Sequence, residues 1–313
     1  MDNIENNNIN LSQRDEINIF ELMAELWNRK FFISSFTFLG TLIAVLYALY
    51  LPNIYKSVAM LTPANDNASG SPMLSQYSGM ANLAGISLPS GDDDKVLEAI
   101  ERIKSYDFFY NSFLPSIKLE NLMAVKQWKP ESNDLIYKED DFDSVNDKWI
   151  REVSYPKLTI PSSQESFEVY KDIMTISKNK SFIQISMEHQ SPFIAKKWTE
   201  LIITEINRTM RFEDKSRTSK SIDFLNNQSL KISYEDIKQS LASLLQEQMK
   251  SLMLIEASED YVFKIISSPL APELKSEPKR SLIVVLGFLG SLILSVLYIL
   301  TMQFIINNVK KAN

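Results

Sequence analysis

The stretches FFISSFTFLGTLIAVLYALYL (residues 31–51) and SLIVVLGFLGSLILSVLYILTMQFII (residues 281–306) decide how this chain is built. Each exceeds the roughly 20 residues that an α-helix needs to cross a ~30 Å hydrocarbon core, and neither contains a charged side chain, so both read as membrane spans. Thirty residues precede the first span and seven follow the second, so the function is expected in the 229 residues from 52 to 280.

Lysines and arginines beside the spans set the expected orientation. Arg14, Arg29 and Lys30 precede the first span and only Lys56 follows it closely, which keeps the N-terminus in the cytoplasm. Lys264, Lys275, Lys279 and Arg280 before the second span, against Lys310 and Lys311 after it, point the other way. The first span is given the decision, because long loops are translocated largely regardless of their charge. Both termini are then cytoplasmic and the large central segment lies on the far side of the membrane, which in the two-span reading is the periplasm. The first run is not expected to be a cleaved signal peptide, since it follows a 30-residue leader and ends Tyr47-Ala48-Leu49-Tyr50-Leu51 without a small-x-small site.

Composition narrows the chemistry. The 313 residues carry a net charge of −6, which offers no basic field for nucleic acid. Cysteine is absent, so there is no disulfide framework, thiolate metal site or cysteine nucleophile. No glycine occurs between residues 92 and 286, and the four glycines at 70, 79, 85 and 91 match no phosphate-cradling motif. With a single histidine, zinc sites and most nucleophilic triads fail as well, so no catalytic residue, cofactor or metal is assigned.

Residues 1–13 are asparagine-rich and expected to be disordered, whereas Phe20, Met23, Ala24 and Trp27 fall at helical spacing and predict a surface helix leading into the membrane. In the first span Gly40, Ala44 and Ala48 share one face, and in the second Gly287, Gly290 and Ser291 are small, so both spans are expected to allow a close helix neighbour. Residues 55–61 alternate as a strand, and residues 63–91 read as a mobile glycine-rich loop. Asp92-Asp93-Asp94 then opens a helix along Val96, Leu97, Ile100 and Ile103, where the carboxylates favour helix capping over the alternative of a divalent-cation site. Residues 106–155 are aromatic and acidic, with Trp128, Tyr137 and Trp149 readable either as core or as sugar-stacking groups. A short strand is expected at 157–160 and a hairpin at 172–177 and 181–188. His189, at the end of that hairpin, has no carboxylate or serine partner in a motif and reads as structural.

Residues 192–269 contain no internal proline or glycine and are rich in helix formers. One continuous helix to residue 256 would run about 98 Å at ~1.5 Å per residue. A strand at 261–266 lies some 14 residues before the second span, so the economical solution is an antiparallel helical hairpin about 45 to 50 Å tall, turning near residues 226–228. Pro269, Pro272 and Pro278 then make a stiff, non-helical connector. The expected organisation is a cytoplasmic segment (1–30), a first span (31–51), a periplasmic α/β base (52–191), a helical hairpin (192–256), a base strand with the proline connector (257–280), a second span (281–306) and a cytoplasmic tail (307–313). The fold class is α+β.

This layout resembles the Wzz family of polysaccharide co-polymerases, the chain-length determinants of lipopolysaccharide O-antigen. The residues that carry the resemblance are Ile19-Phe20-Glu21-Leu22 with Trp27, LAGISL at 83–88, Ser191-Pro192 opening a helix, and Pro269, Pro272 and Pro278-Lys279-Arg280 running into Leu286-Gly287 and Leu289-Gly290. Lys275 departs from the pattern, standing where family members often place a further proline, and the helical segment is short for the family. The resemblance implies a membrane-proximal α/β base, a helical hairpin reaching into the periplasm, a ring-like homo-oligomer, and partnership with a Wzy-type polymerase acting on undecaprenyl-linked glycan. It implies a regulator of modal chain length that is not itself an enzyme. Two other readings stand beside it: a membrane co-polymerase of capsule or exopolysaccharide export that activates a separate cytoplasmic tyrosine kinase, and a periplasmic ligand sensor. The seven residues after 306 are expected to hold neither a kinase nor an output domain.

Overall fold

The computed structural model describes Met23 and residues 26–64, 92–232, 234–258 and 260–312. The readings of residues 1–13, of Phe20, of the glycine-rich stretch from 65 to 91 and of the 83–88 signature fall outside the described residues. In chain order the elements are α1 (Lys30–Tyr50), β1 (Tyr55–Pro63), α2 (Asp92–Ile103), a run of short helical turns at 106–116, α3 (Leu119–Met123), β2 (Val125–Lys129), β3 (Asp134–Tyr137), β4 (Phe142–Asp143), β5 (Lys148–Trp149), α4 (Ser163–Ile173), β6 (Met174–Asn179), β7 (Phe182–His189), α5 (Pro192–Ser229), α6 (Glu235–Ala257), β8 (Phe263–Ser267) and α7 (Arg280–Ala312). They form two compact units, Met1–Leu51 with Pro278–Asn313, and Pro52–Glu277.

In the first unit α1 and α7 are both long and apolar enough to cross a membrane. α1 stops where Pro52 forbids a helical conformation to the residue before it, and Leu51 is extended (φ −65, ψ 134).

The second unit is a two-layer α+β structure. Its four-stranded sheet has the order β6-β7-β1-β8, every pair antiparallel. Period-two alternation turns Ser57, Ala59 and Leu61 of β1 and Ile183, Ile185 and Met187 of β7 to the buried face. Helices cover that face. Val96, Ala99 and Ile103 of α2, Phe109 and Phe113 of the helical turns, Tyr170 of α4, and Trp198, Ile202, Ile206 and Met210 of α5 complete one core. On the outer face Lys56 and Glu188, directly opposite in register, form an ion pair at 3.0 Å.

α5 has a double role. Pro192 occupies its first turn, where the missing N–H costs nothing. The first half of the helix lies on the sheet, and beyond Thr218 none of its described side chains is fully buried. The second half pairs with α6, where the exposed Lys215 and Glu256 form an ion pair at 2.7 Å. The reversal falls after 226–228 rather than there, because α5 continues helical through Asn226 and Asn227 to Ser229, and α6 begins at Glu235. α5 with 38 residues is about 57 Å long and α6 with 23 about 35 Å, so the part standing clear of the sheet is shorter than the expected 45 to 50 Å.

Two further expectations are corrected. Residues 157–160 are not a strand: the Arg151 guanidinium takes the carbonyls of Leu158 and Thr159 at 2.6 and 2.8 Å, and among the described residues no strand pairs with them. Residues 172 and 173 belong to α4 rather than to the hairpin, which turns through Lys180 and Ser181 with Lys180 in the left-handed region (φ 54).

Candidate functional site

The small residues of the two spans meet. A Cβ placed on Gly40 would stand 2.4 Å from the Ser291 Cβ, and one on Gly287 would stand 2.3 Å from the Ala44 Cβ. Both distances are closer than real side chains come, so α1 and α7 approach to backbone contact only because these positions are glycine. Ala48, Ser291 and Ser295 are buried along the same seam. The Ser291 hydroxyl lies 3.0 Å from the Phe288 carbonyl and 3.4 Å from that of Thr37 on the other helix. Lipid supplies no hydrophobic drive for two apolar helices to pair, so dispersion at close approach and such hydroxyl contacts hold them together. Gly290 lies off the seam, with no heavy atom within 4 Å of where its Cβ would be.

The proline connector is extended and pinned along one edge. The Ser57 hydroxyl donates to the Leu270 carbonyl (2.8 Å), the Ile54 N–H to the Glu277 carbonyl (2.9 Å), and the Ser276 N–H back to Ile54 (2.9 Å). Lys275, at the position that departs from the family pattern, donates to the Asn53 side chain at 3.2 Å. Pro269 is buried and Pro272 half-buried within this strip, whereas Pro278 belongs to the first unit. Pro269 and Pro272 carry no N–H to donate, and the backbone bonds of the strip fall at its far end, where the Ser276 and Glu277 N–H groups both reach the Ile54 carbonyl.

Polar rivets tie the long helix to the sheet. The Asn207 amide donates to the Phe263 carbonyl (3.0 Å) and accepts from the N–H groups of Val262 (2.9 Å) and Phe263 (3.0 Å), clamping the start of β8 onto α5. Two turns on, Asp214 accepts from the Tyr261 hydroxyl and pairs with Lys95 of α2 at 2.9 Å, while Lys95 sits 3.8 Å from the centre of the Tyr261 ring. Burial alone would raise the Asp214 carboxyl, but the Tyr261 hydroxyl and the Lys95 ammonium outweigh it and hold the group below the usual carboxylate range. Arg102 of α2 bonds Glu213 beside it. Residues 213–221 contain no apolar side chain, so nothing in the sequence marks Glu213 and Asp214 as contact residues. The available signal was Asn207 itself, a polar residue flanked by Ile203, Ile206 and Met210 on the buried face.

His189 is structural. It is buried against Trp198, its Nε2–H donates to the Asn121 carbonyl (2.9 Å) and its Nδ1 accepts from the Ser191 N–H (2.9 Å). The neutral ring thus fills both bonding positions, and burial pushes its pKa down to about 4. The aromatic residues weighed as sugar contacts pack on their neighbours instead: Trp128 meets Tyr55 and Phe193 edge-on, and Trp149 meets Phe142. Among the described residues no three metal-ligating side chains come together.

The helical hairpin leaves large apolar side chains in solvent: Phe224, Leu230, Tyr234, Met253 and Leu254 are each at least 60% exposed.

Residues 15–110 match the family model Wzz, chain length determinant protein. The chain carries a Wzz domain. That domain takes in α1, β1 and α2 and ends within the helical turns that complete the core, so it contributes one wall of the small-residue seam and the strand on which the proline connector is pinned. A solved structure described as a full-length bacterial polysaccharide co-polymerase aligns with 93% of this chain and 99% of its own, at 14% identity and a TM-score of 0.40. A fragment of WzzB, the polysaccharide co-polymerase from Salmonella Typhimurium, aligns with 72% of this chain and 100% of its own, at 14% identity and a TM-score of 0.28. No curated protein matches the chain.

Proposed function

We propose that this protein is a non-enzymatic polysaccharide co-polymerase that regulates the modal chain length of lipopolysaccharide O-antigen, working with a Wzy-type polymerase on undecaprenyl-linked glycan. It sits in the inner membrane with both termini cytoplasmic and residues 52–280 in the periplasm, and it assembles as a homo-oligomeric ring. The observation that carries the reading is the Wzz match over residues 15–110, which begins ahead of the first span and runs through β1 and α2. The paired spans and the exposed apolar face of the hairpin support it: the first anchors a large domain at both ends, and the second is surface that neighbouring copies would cover. The absence of phosphate-binding glycine motifs and of cysteine in the sequence favours a scaffold over a catalyst.

Deletion of the gene tests this. Glycan ladders on gels should show polymer still being made, with the preferred cluster of lengths gone. A strain that makes no polymer would favour an enzyme or an essential exporter, and an unchanged ladder would favour a ligand sensor.

A further inference from the structure

A groove of about 720 Å³ opens on the membrane unit, within the ~300–1,000 Å³ of small-molecule sites. Its wall on α1 runs from Lys30 through Ser34 and Thr37 to Thr41, and Phe288 and Leu292 of α7 face them. From Lys30 to Thr41 the helix rises about 16 Å, half of a ~30 Å hydrocarbon core, and Met23, Leu26 and Trp27 line the groove beyond Lys30.

Its polarity changes in one direction along that depth. At the mouth the Lys30 ammonium stands 5.0 Å from the centre of the Trp27 ring, a basic and aromatic pair of the kind that sits at the level of lipid headgroups. Ser34 places a hydroxyl one turn below, and from there to Leu292 the lining is carbon apart from the Thr37 and Thr41 hydroxyls. Thr41 is satisfied by the Thr37 carbonyl at 2.7 Å, whereas the buried Thr37 hydroxyl has no partner. A cation at the top, a hydroxyl at ester depth and hydrocarbon beneath form the complement of one molecule that a membrane supplies.

We propose that this groove is a binding site for one anionic glycerophospholipid, its phosphate on Lys30 and an acyl chain along Phe288 and Leu292. The site is separate from the chain-length reading and needs only that the two helices lie in a bilayer. A retained lipid there would fill the space beside the seam, so the pairing of α1 and α7 becomes dependent on lipid composition.

The test is native mass spectrometry of the full chain, reconstituted into vesicles of equal phosphatidylglycerol and phosphatidylcholine and then extracted in mild detergent. The wild type should carry phosphatidylglycerol in preference to phosphatidylcholine. Lys30→Gln should lower that retention about five-fold, the equivalent of the ~1 kcal/mol that one lysine gains at an anionic surface, and Lys30→Arg should restore it. Ser34→Phe, which fills the groove and leaves Lys30 in place, should lower it as well. Equal carriage of both lipids, or retention unchanged in Lys30→Gln, would overturn the proposal. So would complete displacement of phosphatidylglycerol by equimolar undecaprenyl phosphate, which would assign the groove to a polyprenyl phosphate instead.

Discussion

One buried side chain should make this protein measurably less stable in acid. His189 is the one histidine of the chain, and burial lowers its pKa from 6.5 to about 4. Above pH 6.5 the ring is neutral whether the chain is folded or unfolded, and the full stability is present. As the pH falls below 6.5 the unfolded chain takes up a proton that the folded chain refuses, so stability declines until the folded ring protonates near pH 4. At ~1.36 kcal/mol per unit the loss is about 2 kcal/mol by pH 5 and about 3 kcal/mol by pH 4. Carboxylates also titrate at the lower end of this window, so the contribution of His189 is isolated by difference. Glutamine at 189 keeps an N–H donor for the Asn121 carbonyl and never titrates. Urea unfolding of the detergent-solubilised full chain, followed by tryptophan fluorescence at pH 7, 6, 5 and 4, should show the wild type losing about 3 kcal/mol more than His189→Gln across the series. Parallel pH profiles for the two proteins would refute the reasoning.

Three substitutions test the packing. Gly287→Leu drives a side chain into Ala44 and should cost roughly 1–3 kcal/mol by overpacking, read as a lower melting temperature in detergent, whereas Gly290→Ala has open space and should leave it unchanged. Arg151→Ala removes a bidentate pair with Glu165 (2.6 and 2.7 Å) together with two carbonyl contacts, and should cost about 3 kcal/mol and open residues 150–161 to limited proteolysis. Asn207→Leu leaves the Val262 and Phe263 N–H groups without their acceptor and should cost about 2 kcal/mol, with faster hydrogen exchange at the start of β8. For the orientation, an alkaline phosphatase fused after Asn179 should be active and one fused at Asn313 inactive; the reverse pattern would invert the topology.

What could be read in the sequence was what a single physical constraint dictates. A bilayer demands an unbroken apolar run, and the bounds at 31–51 and 281–306 lie close to α1 and the candidate span Arg280–Gln303. Sheet pleating demands alternation, which located β1, β7 and β8 within two residues. Where several weak constraints compete, the sequence was less transparent. The residues from 106 to 116 change helical pitch from α through π to 3-10, because Phe109 and Phe113 must both reach Tyr170 while Pro115 closes the run, and no fixed period describes that. α4 went unread although Ser162 and Glu165 stand at the spacing of a capping box; the Ser162 hydroxyl does accept from the Glu165 N–H (3.2 Å), but the Glu165 carboxylate turns away to Arg151. The turn after α5 comes later than expected because nothing between Pro192 and Ser229 breaks the helix, and Asn226 and Asn227 are carried within it. In the membrane unit the small residues were visible as a set, but which of them face α7 depends on a partner helix more than two hundred residues away, so the burial of Ser295 and the open side of Gly290 had no local signature.

The central claim, a scaffold that sets length without making bonds, is tested most directly by reconstitution of a Wzy-type polymerase in vesicles with undecaprenyl-linked repeats, with and without this chain, and measurement of both total sugar incorporation and the distribution of product lengths. The account predicts unchanged incorporation by the polymerase, none by this chain alone, and a broad distribution that narrows to a modal cluster when the chain is added. Sugar transfer by the chain alone, or a distribution indifferent to its presence, would contradict it.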